Sequence, residues 1–192
     1  MKVPNSMVNP DLALLTDLLK DGMIAGHMPF LRVSSGSMQP LLRVGDEVGV
    51  QSVTVEQLQP GDIVVVSDRA QILTHRFWER RDAGRRPGFL TRGDRMLSYD
   101  RVWTADQLLG RAVARRRQNR LLWLDYGPGC WLNRMLAQIS RFEGKMLNLA
   151  PSTHRLSERS PLQELLRLSL RSVAEGLTGA VDLYTYRIIG TP

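Results

Sequence analysis

The sequence predicts a mainly β fold, a barrel or sandwich with helices before and after it, and three observations carry the prediction. Between His27 and about Val113 the apolar residues fall into short runs of strand length, FLRV, DEVGV, IVVV, ILTHRFW, GFLTRG and GRAVA, separated by turn residues. Two of them, VGDEVGV and PGDIVVV, are versions of one turn-then-strand unit built on Gly45-Asp46 and Pro60-Gly61-Asp62. Short strands at this spacing argue for closed or sandwiched antiparallel sheets over a parallel α/β sheet.

The elements follow in chain order. Asn9 and Pro10 read as an N-cap and first helical position, and Leu12, Leu15, Leu18 and Leu19 recur at helical spacing until Gly22. That predicts an amphipathic helix of about three turns acting as a lid or brace, within a lead-in spanning residues 1–29. The β segment takes residues 30–114, with RRDAGRRPG at 80–88 as an exposed hairpin loop and Arg115-Arg116-Arg117 closing it. Residues 115–192 form a mostly helical accessory region. Its first helix, LNRMLAQISRFEGKML, puts Leu132, Met135, Leu136, Ile139, Phe142 and Met146 on one face. A proline and serine stretch at 151–161 leads to a second helical pattern, LQELLRLSLRSVAEG, and a last apolar tail, VDLYTYRIIG.

Composition narrows the class. With 192 residues, 43% apolar and 23% charged, the chain suits one folded domain with an accessory lobe, and disorder is not the default. The formal charge of +7 comes almost wholly from arginine, since Lys2, Lys20 and Lys145 are the only lysines. A single cysteine, Cys130, excludes an internal disulfide and a thiolate metal site, and reads as a small buried side chain. Neither a metal nor a cofactor is expected. No apolar run approaches the roughly 18 to 20 residues of a membrane span, and the first residues lack the apolar core of a secretory signal. The expectation is a cytoplasmic protein, with peripheral membrane contact open.

The candidate chemistry begins at SSGSMQP, where Ser37 sits on a polar turn. A serine hydroxyl needs an adjacent base to become a nucleophile, and histidine suits neutral pH, with an unperturbed pKa near 6.5. Of His27, His75 and His154, the first follows the N-terminal helix and the last lies in the proline and serine stretch. His75, inside ILTHRFW, is held on a strand. A histidine base works best with a carboxylate that fixes its tautomer. TRGDRMLSYDR offers Asp94 and Asp100; Asp94 follows a glycine, as the turn residues Asp46 and Asp62 do, which leaves Asp100 as the orienting acid.

Taken together, SGSMQP, GDEV, GDIVVV, the His75-Arg76 dipeptide and RGD with an aspartate six residues on resemble the signal peptidase family and its relatives, including the LexA-type self-cleaving repressors. The resemblance spans roughly residues 30 to 114 and implies a coiled β-barrel. It also implies a serine-type endopeptidase with Ser37 as nucleophile, and an oxyanion hole made by the Ser37 backbone N–H and the Ser35 hydroxyl. Bacterial members use a lysine base, but no lysine lies between Lys20 and Lys145. With His75 in that place, the likeness is to the Ser/His/Asp branch of the endoplasmic reticulum and archaea, whose aspartate falls on Asp100. Gly36 would admit the substrate backbone, and Met38 and Pro40 would shape the loop. Where the family usually has asparagine after the second Gly-Asp, this chain has Arg95. The implied partner is an extended peptide or precursor protein with small residues before the cleaved bond.

Three other readings compete. Arg80, Arg81, Arg85, Arg86 and the 115–117 triplet could contact phosphates. Yet no helix-turn-helix precedes the β segment, and such runs are more often solvated loops, which argues against a nucleic-acid partner. The helix at 131–147, with Trp123 and Trp131 near its start, could lie at a membrane surface or simply cover the barrel. A catalytically inactive peptide-binding module would share the same fold.

Overall fold

In the computed structural model, which describes residues 10–68, 71–82, 84, 86–146 and 161–189, the IVVV run lies in the middle of the sheet. Ile63 and Val65 face one apolar cluster and Val64 and Val66 the other, so the strand is buried on both sides and has no need to alternate. The strands are β1 (Phe30–Arg32), β2 (Glu47–Gln51), β3 (Ile63–Ser67), β4 (Ile72–Arg80), β5 (Gly88–Arg92), β6 (Trp103–Thr104), β7 (Leu108–Arg117) and β8 (Arg120–Trp123). They form one antiparallel sheet in the order β1-β2-β7-β3-β4-β5-β6, with β8 added to β7, curled into a half-barrel. Helix α1 (Pro10–Ile24) precedes it, and α2 (Gly127–Met146) and α3 (Pro161–Ile189) follow. The mainly β class expected from the sequence is the class observed.

Several boundaries differ from the sequence reading. Helix α1 passes Gly22 and stops at Gly26, whose φ of 82° is the left-handed cap; the bonds Gly26 N to Met23 O and His27 N to Gly22 O close the turn. The sheet does not end at residue 114. Gln118 and Asn119, with φ of 48° and 63°, make the tight turn that returns β7 as β8. Helix α3 absorbs both the second helical pattern and the apolar tail. Arg167, Ala174, Thr178 and Val181 are buried in succession along one face, and this packing outweighs the low helix propensity of Gly176 and Gly179. Asn9, Arg85, the 151–160 stretch and His154 lie outside the described residues.

The arginine triplet is neither a solvated loop nor a free cationic patch. Arg115 is buried, bonded to Asp182 and the Leu41 carbonyl, and burial pushes its guanidinium below the ordinary range. Arg116 meets Glu47 at 2.6 Å, and Arg117 joins Asp46 at 2.7 Å to Asp182 at 2.5 Å. Arg80 donates to the carbonyls of Val55, Glu56 and Leu58. These cations tie the sheet to α3 and to its own loops. No helix among the described residues is long and apolar enough to cross a membrane.

Candidate active site

The segment from Ser34 to Leu42 leaves the end of β1 and folds back under the sheet, because Met38, Leu41 and Leu42 are each at most 1% exposed and belong to the larger core. Burial of these three side chains fixes the turn between them and leaves Ser37 half-buried at its outer side. The Ser37 carbonyl accepts the Arg95 backbone N–H at 2.8 Å, which joins this turn to the TRGD segment after β5.

His75 projects from β4 opposite Val64 of β3, with 4% of its surface exposed. Its Nε2 lies 3.0 Å from Ser37 Oγ and its Nδ1 2.6 Å from Asp100 Oδ2. Thus the hydroxyl, the imidazole and the carboxylate meet in one hydrogen-bonded row. Asp100 reaches it because its backbone N–H bonds the Thr91 carbonyl at 2.9 Å, folding the segment after the Arg-Gly-Asp turn back onto β5.

Two residues that the sequence reading did not single out extend the row. Thr91 Oγ1 donates to Asp100 Oδ2 at 2.5 Å and accepts the Trp103 indole N–H at 2.8 Å, with both side chains buried. An indole only donates, so the Thr91 proton has to go to Asp100. The carboxylate then accepts Nδ1–H of His75, which makes Nε2 the acceptor for the Ser37 proton. Ser37 Oγ is 3.3 Å from the Ser35 hydroxyl, whose proton completes the sequence of donors. The side-chain bonds thereby select the tautomer that a general base requires.

Arg76, next along β4, points to the opposite face and is fully buried. It donates to both carboxylate oxygens of Asp94 at 2.8 and 2.6 Å, to the Gly61 carbonyl at 2.6 Å and to Asn133 of α2 at 2.7 Å. Asp94 is therefore more than a turn residue. It holds a buried cation whose backbone neighbour is His75. Gly93 is required by space: a Cβ there would stand 2.7 Å from Met96 Cγ and 3.0 Å from both His75 Nε2 and the Ser37 carbonyl. Arg95 bonds Gln39 at 2.5 Å on the outer side of the same loop. Gly36 lies beside the Gln39 amide, where a Cβ would come within 3.1 Å of its nitrogen.

Ser37 opens onto a cleft of about 470 Å³ between β1 with its extension and the start of β4. Leu31, Val33, Ile72 and Leu73 line it, and α1 contributes Leu12 and Leu15 as a wall. Helix α1 is anchored there by Leu19 in the core and by Thr16, whose hydroxyl lies 3.4 Å from that of Ser67. β1 is the outer strand of the sheet on this side, and β4 pairs with β5 only from Arg76 onward. The strands flanking the cleft thus each keep an edge that no neighbouring strand pairs.

His27 is exposed beyond α1, away from this row, and Cys130 is partly exposed beside a separate polar pocket. Among the described residues no three His, Cys, Asp or Glu side chains converge as a metal site. Comparison with protein-family models finds no match. Comparison with curated proteins finds none either.

Proposed function

We propose that this chain is a serine endopeptidase that cleaves an extended peptide or precursor protein by a Ser/His/Asp mechanism, in the manner of the signal peptidases it resembles. The observation that carries the reading is the continuous run Ser37 Oγ, His75 Nε2, His75 Nδ1, Asp100 Oδ2, with separations of 3.0 and 2.6 Å. Those are the distances over which a nucleophile, base and orienting acid act.

In this mechanism Ser37 Oγ attacks the scissile carbonyl carbon while its proton passes to His75 Nε2. The negative oxygen of the tetrahedral intermediate is held by the Ser35 hydroxyl and the Ser37 backbone N–H, each donor contributing on the order of 10² to 10³ in rate. Collapse returns the Nε2 proton to the leaving amine. A water molecule, deprotonated by the same nitrogen, then releases the acyl group from Ser37. Asp100 stays ionised throughout and stabilises the imidazolium.

The substrate lies extended in the cleft, adding a strand between β1 and the first residues of β4. Backbone pairing supplies affinity with little demand on sequence, and the aliphatic lining favours apolar side chains before the cleaved bond, small ones such as alanine by the resemblance. The test is incubation of purified protein with a diverse peptide library, cleavage sites being read by mass spectrometry. Products released by the native chain and absent with Ser37→Ala and His75→Ala are expected. Products from all three alike, or from none, overturn the proposal and leave a peptide-binding module in its place.

A further inference from the structure

The sequence puts six apolar side chains on one face of α2, yet the fold buries only part of that face. The helix is rotated so that Leu132, Leu136, Ser140, Glu143 and Gly144 turn inward. Trp131, Met135, Phe142 and Met146 remain outside, between 37 and 51% exposed. At about 100° per residue these four fall within an arc of about 60°. Next to it, within another arc of about 40°, lie Arg134, Arg141 and Lys145, all exposed. The only acid of the helix, Glu143, is buried and bonded to Arg167 at 2.7 Å. The outer side of α2 is therefore one apolar strip, one cationic strip and no carboxylate.

Exposed apolar patches mark contact sites. Helices α1 and α3 also expose leucines, among them Leu14, Leu18, Leu162 and Leu165, and what distinguishes α2 is an aromatic strip flanked by cations with no exposed carboxylate on the helix. The aromatic residues say more about the kind. Beyond the N-terminal end of α2, Tyr126 and Tyr184 are each 55% exposed and line an apolar cleft of about 320 Å³. Rings with a polar edge and an apolar body, such as these and Trp131, favour the boundary between headgroups and acyl chains. A helix lying there would sink its Trp, Met and Phe side chains below the phosphates, while the flexible arginine and lysine side chains reach up to them. The adjacent cations make the preferred surface anionic.

We infer that α2 docks this protein on an anionic lipid bilayer, lying along the surface without crossing it. The inference rests on the burial and charge pattern of α2 and is independent of the peptidase reading. The whole chain is mixed with phosphatidylcholine vesicles, with and without phosphatidylglycerol, and sedimented. Binding is expected only where phosphatidylglycerol is present, with a blue shift of tryptophan emission that Trp131→Phe removes. Replacing Arg134, Arg141 and Lys145 by glutamine is expected to lower the partition coefficient roughly a hundredfold. Trp131→Ser with Phe142→Ser is expected to abolish binding while circular dichroism shows an unchanged fold, because both side chains are exposed. Failure to bind phosphatidylglycerol vesicles, equal binding to both vesicle types, or native binding by these variants would overturn the inference. So would a dimer in solution that shields Trp131 from quenchers without lipid.

Discussion

Asp94 lies in the Arg-Gly-Asp turn and Asp100 in the segment after it, and changing each to asparagine separates what they do. Asp94 accepts two hydrogen bonds from Arg76, whose side chain is fully buried and whose other bonds go to the neutral Gly61 carbonyl and Asn133. In Asp94→Asn the new amide would keep one acceptor oxygen and lose the charge, leaving an uncompensated guanidinium in the protein interior. Breaking a buried pair in this way costs about 3–5 kcal/mol. With a urea dependence of about 2 kcal/mol per molar, the unfolding midpoint of Asp94→Asn is expected to fall by roughly 1.5–2.5 M. Asp100 is partly exposed, and its side chain bonds His75 and Thr91 where Asp94 holds a buried guanidinium. Asp100→Asn is therefore expected to shift the midpoint little and to reduce kcat by about 10⁴-fold, since an amide cannot hold the imidazole in the required tautomer. The assays are urea unfolding followed by tryptophan fluorescence and peptide cleavage below the transition. An Asp94→Asn protein with an unchanged midpoint would refute the assignment of the buried charge. An Asp100→Asn protein with native kcat would refute the orienting role.

Further perturbations address the supporting shell. Thr91→Val keeps the shape but removes the proton donated to Asp100 and leaves the Trp103 N–H unbonded; kcat is expected to fall about tenfold at constant KM, with a stability loss of about 1–3 kcal/mol. Gly93→Ala drives a carbon to 2.7 Å from Met96 Cγ and to 3.0 Å from both His75 Nε2 and the Ser37 carbonyl; displacement of the histidine by a few tenths of an ångström is expected to cost roughly tenfold in kcat, read in the same assay, with thermal melting reporting the accompanying loss of stability. Gly144→Ala drives a carbon to 2.8 Å from Arg92 Nη1, and Arg92 is boxed in by Ser140 and by the Trp78 and Tyr99 rings, so thermal melting is expected to show a net loss of about 1–3 kcal/mol despite the better helix propensity of alanine.

The strands are legible because their apolar runs and Gly-Asp turns are local signals. Ser37, His75 and Asp100 are legible as residue types in a fitting order, and the structure shows them within bonding distance. What lies between them is not. Thr91 reads as an ordinary strand residue, and its link to Trp103 depends on β5 and β6 pairing Phe89 with Trp103. Asp94 looks like the turn residues Asp46 and Asp62 because the arginine that needs it sits 18 positions earlier on another strand. The α2 face is read as a face, but how much of it is buried is not legible, for a related reason. Periodicity finds six apolar positions, but only the packing of Leu132, Leu136 and Gly144 against the sheet and Arg92 decides which way the helix turns. The triplet at 115–117 is adjacent in sequence to nothing that neutralises it; Asp46 and Glu47 lie far before it, and Asp182 far after.

The clasp between Arg115, Arg117 and Asp182 bears on how the molecule comes into being. A ribosome releases Asp182 long after the serine and the histidine have emerged, so a partly made chain carries the two arginines with one acidic partner missing and the apolar side of its sheet still wet. Closure of the clasp waits on synthesis of α3: nascent chains halted before α3 are expected to be digested readily by an added protease, whereas chains that include it resist. If the halted chains prove equally resistant, α3 adds nothing to the shielding of the sheet and the clasp forms no step of assembly.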